Sequence, residues 1–133
     1  MTCVGKSFHD VSMKTTDGSK TKLSKMAGRG SPVVLIVYSS ETNDSASAIQ
    51  AAEEFSFQHE HIKFILLNVE DNAKATSAFI QEQGVKSCSS YIGKIPKDYG
   101  IRDGAFPVHI VIDEDGKVLL ASEDANDYIS LVA

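Results

Sequence analysis

Residues Val33 to Tyr38, "VVLIVY", constrain this chain more than any other segment. A strand with one face in water alternates apolar and polar residues, whereas this run is apolar on both faces. It therefore belongs at the centre of a sheet covered on both sides. A second such run, "IKFILLNV", follows at residues 62–69. Between them Ala48, Ile49, Ala52 and Phe55 recur at helical spacing, and Gln50, Glu53 and Glu54 are left for water. Two buried strands joined through a helix run parallel with a right-handed crossover, so this half of the chain reads as a βαβ unit.

The flanking segments extend the pattern. Asp44 or Ser45 is placed to cap the first helix, and Asn72 to cap a second one through Ala75, Ala78 and Phe79 that stops at Gly84. "VKSCSSYIGKIPKDYGI" reads as a loop with a short helical turn near Pro96 to Tyr99. "FPVHIVIDEDGKVLLAS" reads as a β-hairpin around Asp-Glu-Asp-Gly, and "EDANDYISLVA" as a short amphipathic helix using Tyr128, Ile129 and Val132. At the other end Phe8, Val11 and Met13 lie in a loose extended stretch. An Asp17-Gly18 turn follows, with Thr21 and Leu23 beyond it. The order strand, helix, strand, helix, hairpin, helix predicts a thioredoxin fold. That is an α/β architecture with a central mixed sheet flanked by helices and an N-terminal extended or hairpin extension.

Length and charge limit the rest. At 133 residues the chain is expected to form one domain, residues 1–133. Its net charge of −5, with no Lys/Arg-rich run, argues against nucleic acid or an anionic membrane as the main partner. No signal peptide or membrane-spanning apolar run is apparent, so the expected location is cytoplasmic. Two cysteines, Cys3 and Cys88, are too few for a disulfide scaffold and suit a reducing compartment.

"LSKMAG", "PVVLIVYSS" and above all "DYGIRDGAFPVHIVIDEDGKV" carry a resemblance to a known family. The chain resembles thioredoxin-like proteins of the TlpA and alkyl-hydroperoxide-reductase (AhpC/TSA) branch, with tryparedoxin and nucleoredoxin as relatives. The resemblance places the family's Cys-x-x-Cys at Asn43 and Ala46, its active-site tryptophan at Thr42 and its buried acid at Val37. It also implies that Pro107 is the family's cis-proline; the ordinary alternative is a trans proline opening an edge strand. No cysteine lies between Val4 and Ser87, so the junction where a helix end would stabilise a thiolate has no thiol to stabilise. A peroxiredoxin reading meets the same objection.

The remaining chemistry is sparse. Cys88 could act as a displaced thiol favoured by Lys86 and Lys94, or simply fill a gap; its pKa is expected near the ordinary ~8.5. His59 and His61 flank Glu60 without a third ligand, so no metal site is expected, and no cofactor either. Ser39, Ser40, Thr42 and Ser45 offer hydroxyls with no local base. His109 shares a strand face with Pro107 and Val111 by alternation. These readings give no catalytic residue. They favour a redox-inactive protein-binding module whose groove is formed by Thr42, Asn43, Asp44, Phe106 and Pro107, with a protein or peptide segment as partner. The alternative is a monothiol thiol-disulfide oxidoreductase or glutathione-linked enzyme acting through Cys88.

Overall fold

The computed structural model describes residues 3–42, 44–102 and 104–123. Among these, seven strands and two α-helices are present. The strands are β1 (Ser12–Lys14), β2 (Lys20–Lys22), β3 (Val33–Tyr38), β4 (Lys63–Asn68), β5 (Ser89–Ile92), β6 (Val108–Ile112) and β7 (Val118–Ser122). Helix α1 (Ser45–Gln58) links β3 to β4, and α2 (Ala73–Glu82) links β4 to β5. All seven strands join one sheet in the order β2-β1-β5-β4-β3-β6-β7.

The doubly apolar run becomes the centre of this sheet. β3 pairs in parallel with β4 from Val33↔Lys63 to Tyr38↔Asn68, and antiparallel with β6 from Val33↔Ile112 to Val37↔Val108. All six of its residues are buried. Val33, Leu35 and Val37 share one core with Ile65, Leu67, Ile110 and Ile112. Val34, Ile36 and Tyr38 pack on the other side with Leu66, Val111 and the α1 residues Ile49 and Ala52. Both faces are covered, as an all-apolar strand requires.

The closing hairpin has a tight turn. Asp113 Oδ1 accepts the N–H groups of Asp115 (3.0 Å) and Lys117 (2.8 Å), and Gly116 takes φ +95°. Any side chain at Gly116 would also press on the Phe8 ring, 3.2 Å from an added Cβ. That ring sits there because the N-terminal segment is stitched to the hairpin. Gly5 N–H donates to the Val118 carbonyl and Phe8 N–H to the Gly116 carbonyl, both at 2.8 Å.

The structure corrects two local expectations. The segment around Cys88 is not a loop: residues 89–92 form β5, parallel to β4 from Ile65↔Ser89 to Asn68↔Ile92. A 3-10 turn does follow at Lys97–Tyr99. Helix α2 is capped by Asn72, whose side chain accepts Ala75 N–H at 2.9 Å, but Ala75 and Ala78 are exposed; Thr76 is its buried residue, with Phe79 and Ile80 partly covered. The Asp17-Gly18 turn lies as expected in the link from β1 to β2, which pair antiparallel, with Thr21 in β2 and Leu23 opening a 3-10 turn beyond it. The predicted tail helix with Tyr128, Ile129 and Val132 lies outside the described residues. Among those that are described, no helix is long and apolar enough to cross a membrane.

Candidate functional site

Hydroxyl groups brace the junction from β3 to α1 among its described residues. Ser45, fully buried at the start of α1, donates its hydroxyl to the Ser39 carbonyl at 2.8 Å. Ser39 Oγ donates to Glu70 Oε1 at 2.7 Å and accepts Glu41 N–H at 3.3 Å. Asn68, buried at the end of β4, donates to Thr76 Oγ1 (2.9 Å) and Ser40 Oγ (3.3 Å), while its Oδ1 accepts Glu70 N–H at 3.0 Å. Thr76 in turn donates to the Asn72 carbonyl at 2.8 Å.

These bonds tie Ser39 to Glu70 just beyond β4 and Ser40 to Asn68 at its end, with Asn68 linked on to α2 through Thr76, and they satisfy polar groups that burial would otherwise leave costly. Ser39 donates to a carboxylate and Ser45 to a backbone carbonyl, while Ser40 accepts from the Asn68 amide, so no histidine is among these partners. Neither expected cap forms. Asp44 holds the N-cap position, but its side chain makes no capping bond, and the Ser45 hydroxyl points back to Ser39.

Beside this junction lies a cleft of about 450 Å³. One wall is the first turns of α1, with Asp44, Ser47, Ala48 and Ala51; the other is Phe106, Pro107, His109 and Glu123. The Phe106–Pro107 peptide bond is cis. Of the expected groove residues, Asp44, Phe106 and Pro107 are therefore brought together. Thr42 does not line the cleft; its N–H donates to the Ser39 carbonyl and its own carbonyl accepts Ser45 N–H. Asn43 lies outside the described residues. Phe106 is not a freely exposed rim residue either: it is half-buried and packs against the core. The exposed small residues Ser47 and Ala51 were not foreseen as part of this site. Helical spacing could have supplied them, since both lie within two turns of Asp44 on the first helix.

Cys88 departs furthest from expectation. It is only 8% exposed, at the threshold of β5. Glu53, expected to face water, instead turns toward the protein, and its carboxylate accepts Ser87 N–H (2.8 and 2.9 Å) and Cys88 N–H (3.0 Å). Burial first and the Glu53 carboxylate second push the Cys88 thiol up to about 12. The ordinary ~8.5 expected for Cys88 is thus overturned, and so is a thiolate favoured by Lys86 and Lys94, because the sulfur is buried and the charge that reaches it is negative. Cys3 is also buried, and desolvation raises its pKa.

Of the helix-end histidines, His59 stacks on Phe55 with ring centroids 4.0 Å apart. Among the described residues no group of three or more His, Cys, Asp or Glu side chains is arranged to hold a metal ion.

The fold is shared with known structures. A thiol-disulfide oxidoreductase from Bacteroides fragilis superposes with a TM-score of 0.80 at 16% identity, covering 96% of this chain and 100% of that one. A peroxiredoxin-like protein from Aquifex aeolicus gives 0.78 at 17% identity, over 97% and 85% of the two chains. A thioredoxin-like protein from Aeropyrum pernix gives 0.75 at 16%, over 95% and 88%. Identities this low establish the thioredoxin-like fold and nothing finer. Comparison with curated proteins finds no match. The sequence pattern of the AhpC/TSA family, however, matches residues 4–121, which spans the junction, the cis-proline and the closing hairpin alike. This chain belongs to the AhpC/TSA family.

Proposed function

We propose that this chain is a non-catalytic member of its family, a binding or scaffold module that holds an extended protein segment in the cleft between α1 and Phe106-Pro107. The observation that carries this reading is the β3–α1 junction. Where the family resemblance puts a Cys-x-x-Cys, the sequence has Asn43 and Ala46, and the nearby serines are committed to bracing the loop. A thiolate is the agent of disulfide exchange, and no amide or methyl group replaces it. The cleft itself remains, with a half-buried aromatic on one wall and exposed carboxylates, Asp44 and Glu123, near its mouth. Such a surface suits a segment that is neutral or basic.

The alternative, oxidoreductase or glutathione chemistry through Cys88, has less to support it. A buried thiol titrating at about 12 is almost wholly protonated at neutral pH and is shielded from a substrate disulfide. The two free cysteines are consistent with work in a reducing compartment, which we take to be the cytoplasm.

Two measurements test the proposal together. Insulin disulfide reduction with a thioredoxin-type electron donor should not exceed background, and turnover that survives Cys3→Ser with Cys88→Ser would sink the site assignment. Pull-down with and without reductant should retain the same partner in both conditions. That partner should be lost with Ser47→Arg/Ala51→Arg, which fills the cleft from exposed helix positions. Retention only without reductant would favour Cys88 chemistry instead.

A further inference from the structure

Asp44 and Glu123 both line the cleft between α1 and Phe106-Pro107, and neither carboxylate contributes much to the fold. Asp44 stands at the N-cap of α1, where an aspartate ordinarily accepts an N–H of the first turn, yet its side chain makes no capping bond. Glu123 meets the Arg102 guanidinium at 3.9 Å. Those two side chains are 57% and 82% exposed, and a pair so open to water adds little stability. No lysine or arginine lines the cleft among the described residues, and His109, the remaining titratable group of the lining, is 1% exposed.

A chain carrying −5 exposes carboxylates in many places, so exposure alone selects nothing. This pair differs in its placing. Asp44 belongs to the helix wall and Glu123, just beyond β7, to the opposite wall of the same cleft. Any segment lying in the cleft therefore takes water from both charges. A neutral segment would return nothing for that loss, and an acidic one would add repulsion. A cation on the segment compensates both carboxylates at once, so desolvation turns a tolerance for basic segments into a preference.

We infer that the segment held in this cleft carries an arginine, whose guanidinium is taken by Glu123 and Asp44, and that Arg102 is its built-in competitor. The inference rests on the cleft reading given under the proposed function. Arginine is favoured over lysine because its planar group is less strongly hydrated and stacks on aromatic rings, and Phe106 lines the same cleft. Arg102 already brings a guanidinium to Glu123, but loosely enough to be displaced. The two carboxylates are not equivalent. The positive end of α1 offsets part of the Asp44 charge, so Glu123 carries the larger share of the attraction.

The test selects a phage-displayed library of random heptapeptides on the full chain, with Ser47→Arg/Ala51→Arg as the counter-selecting protein. Selected peptides should share an arginine. The strongest of them, made synthetically, should lose about fivefold or more in affinity when that arginine becomes citrulline, its neutral isostere. Glu123→Gln, at an exposed position, should weaken the arginine peptide by about fivefold or more and Asp44→Asn by less, while the citrulline peptide changes by less than about twofold. Arg102→Ala should tighten the arginine peptide by about twofold or more. In the unaltered protein rising salt should weaken the arginine peptide and spare the citrulline one, a readout that needs no variant. Selected peptides without arginine, equal binding of the two synthetic forms, or indifference to both Glu123→Gln and salt would overturn the inference and leave the cleft reading in place. No enrichment over the counter-selecting protein would remove the cleft reading itself, and this inference with it.

Discussion

Removing the Glu53 carboxylate should loosen the join between α1 and β5 and make Cys88 easier to ionise. Glu53 holds Ser87 N–H at 2.8 and 2.9 Å and Cys88 N–H at 3.0 Å. Hydrogen bonds to a charged acceptor contribute about 1.5–3 kcal/mol each. Ser87 is exposed and recovers water in the variant, so most of the loss falls on the Cys88 amide, and Glu53→Ala should cost about 2 kcal/mol. For 133 residues the unfolding entropy near the midpoint is about 280 cal/mol/K, so Tm should fall by about 7 °C. Glu53→Gln keeps an acceptor oxygen without the charge and should lose about half as much.

The same bond has a pH signature. The amides hold the Glu53 pKa below its ordinary value even though burial opposes them. Its contribution is therefore fully present above the unfolded pKa of ~4.3 and disappears as pH falls through the lower folded value. The acid limb of the stability curve should flatten in Glu53→Gln. Thermal melts across pH, together with alkylation of Cys88, read both effects. The sulfur should react faster in Glu53→Ala yet stay slower than an exposed thiol, because burial remains. If both variants melt within about a degree of the parent at neutral pH, the account of this joint is refuted.

Tyr38→Phe should be neutral or stabilising by up to about 1 kcal/mol. It deletes a buried hydroxyl with no hydrogen-bond partner among the described residues and keeps the ring stacked on Phe79 at 5.6 Å; a clear loss in a denaturant melt would contradict this. Alkylation of Cys88 in the native protein should show no midpoint near the ordinary ~8.5, and one at or below that value would restore the thiol to consideration. Asn43→Cys/Ala46→Cys should fold and close an intramolecular disulfide, seen by mass after alkylation of the remaining thiols. A pair that stays reduced under mild oxidant would move the family's site away from the start of α1.

Where the sequence could be read, periodicity and turn chemistry did the reading. "VVLIVY" and "IKFILLNV" announce buried parallel strands, Asn72 announces its helix, and Asp-Glu-Asp-Gly announces the hairpin. β5 escaped because its residues, Ser89, Ser90, Tyr91 and Ile92, include no apolar run; it is a strand through its pairing with β4, a tertiary cause invisible locally. Glu53 was assigned to water by helical phase, yet long side chains on a helix flank can turn inward when unpaired amides await them. The cleft was half legible. Pro107 and Asp44 belong to motifs, whereas Ser47 and Ala51 carry no chemistry of their own and enter only because α1 passes close to the segment before β6.

The sheet order also has a consequence for synthesis. β3 is flanked by β4, which follows it closely in the chain, and by β6, which begins only at Val108. As the chain emerges from its N-terminal end, β3 and β4 can pair while the other edge of β3 stays bare until the hairpin arrives. For that interval the most apolar strand of the molecule offers an open edge to any neighbouring nascent chain. Pro32 at one end and the Ser39-Ser40 pair at the other then act as gatekeepers, limiting how far a foreign strand can extend along it. The residues that brace the finished junction are thus also placed to protect the unfinished one.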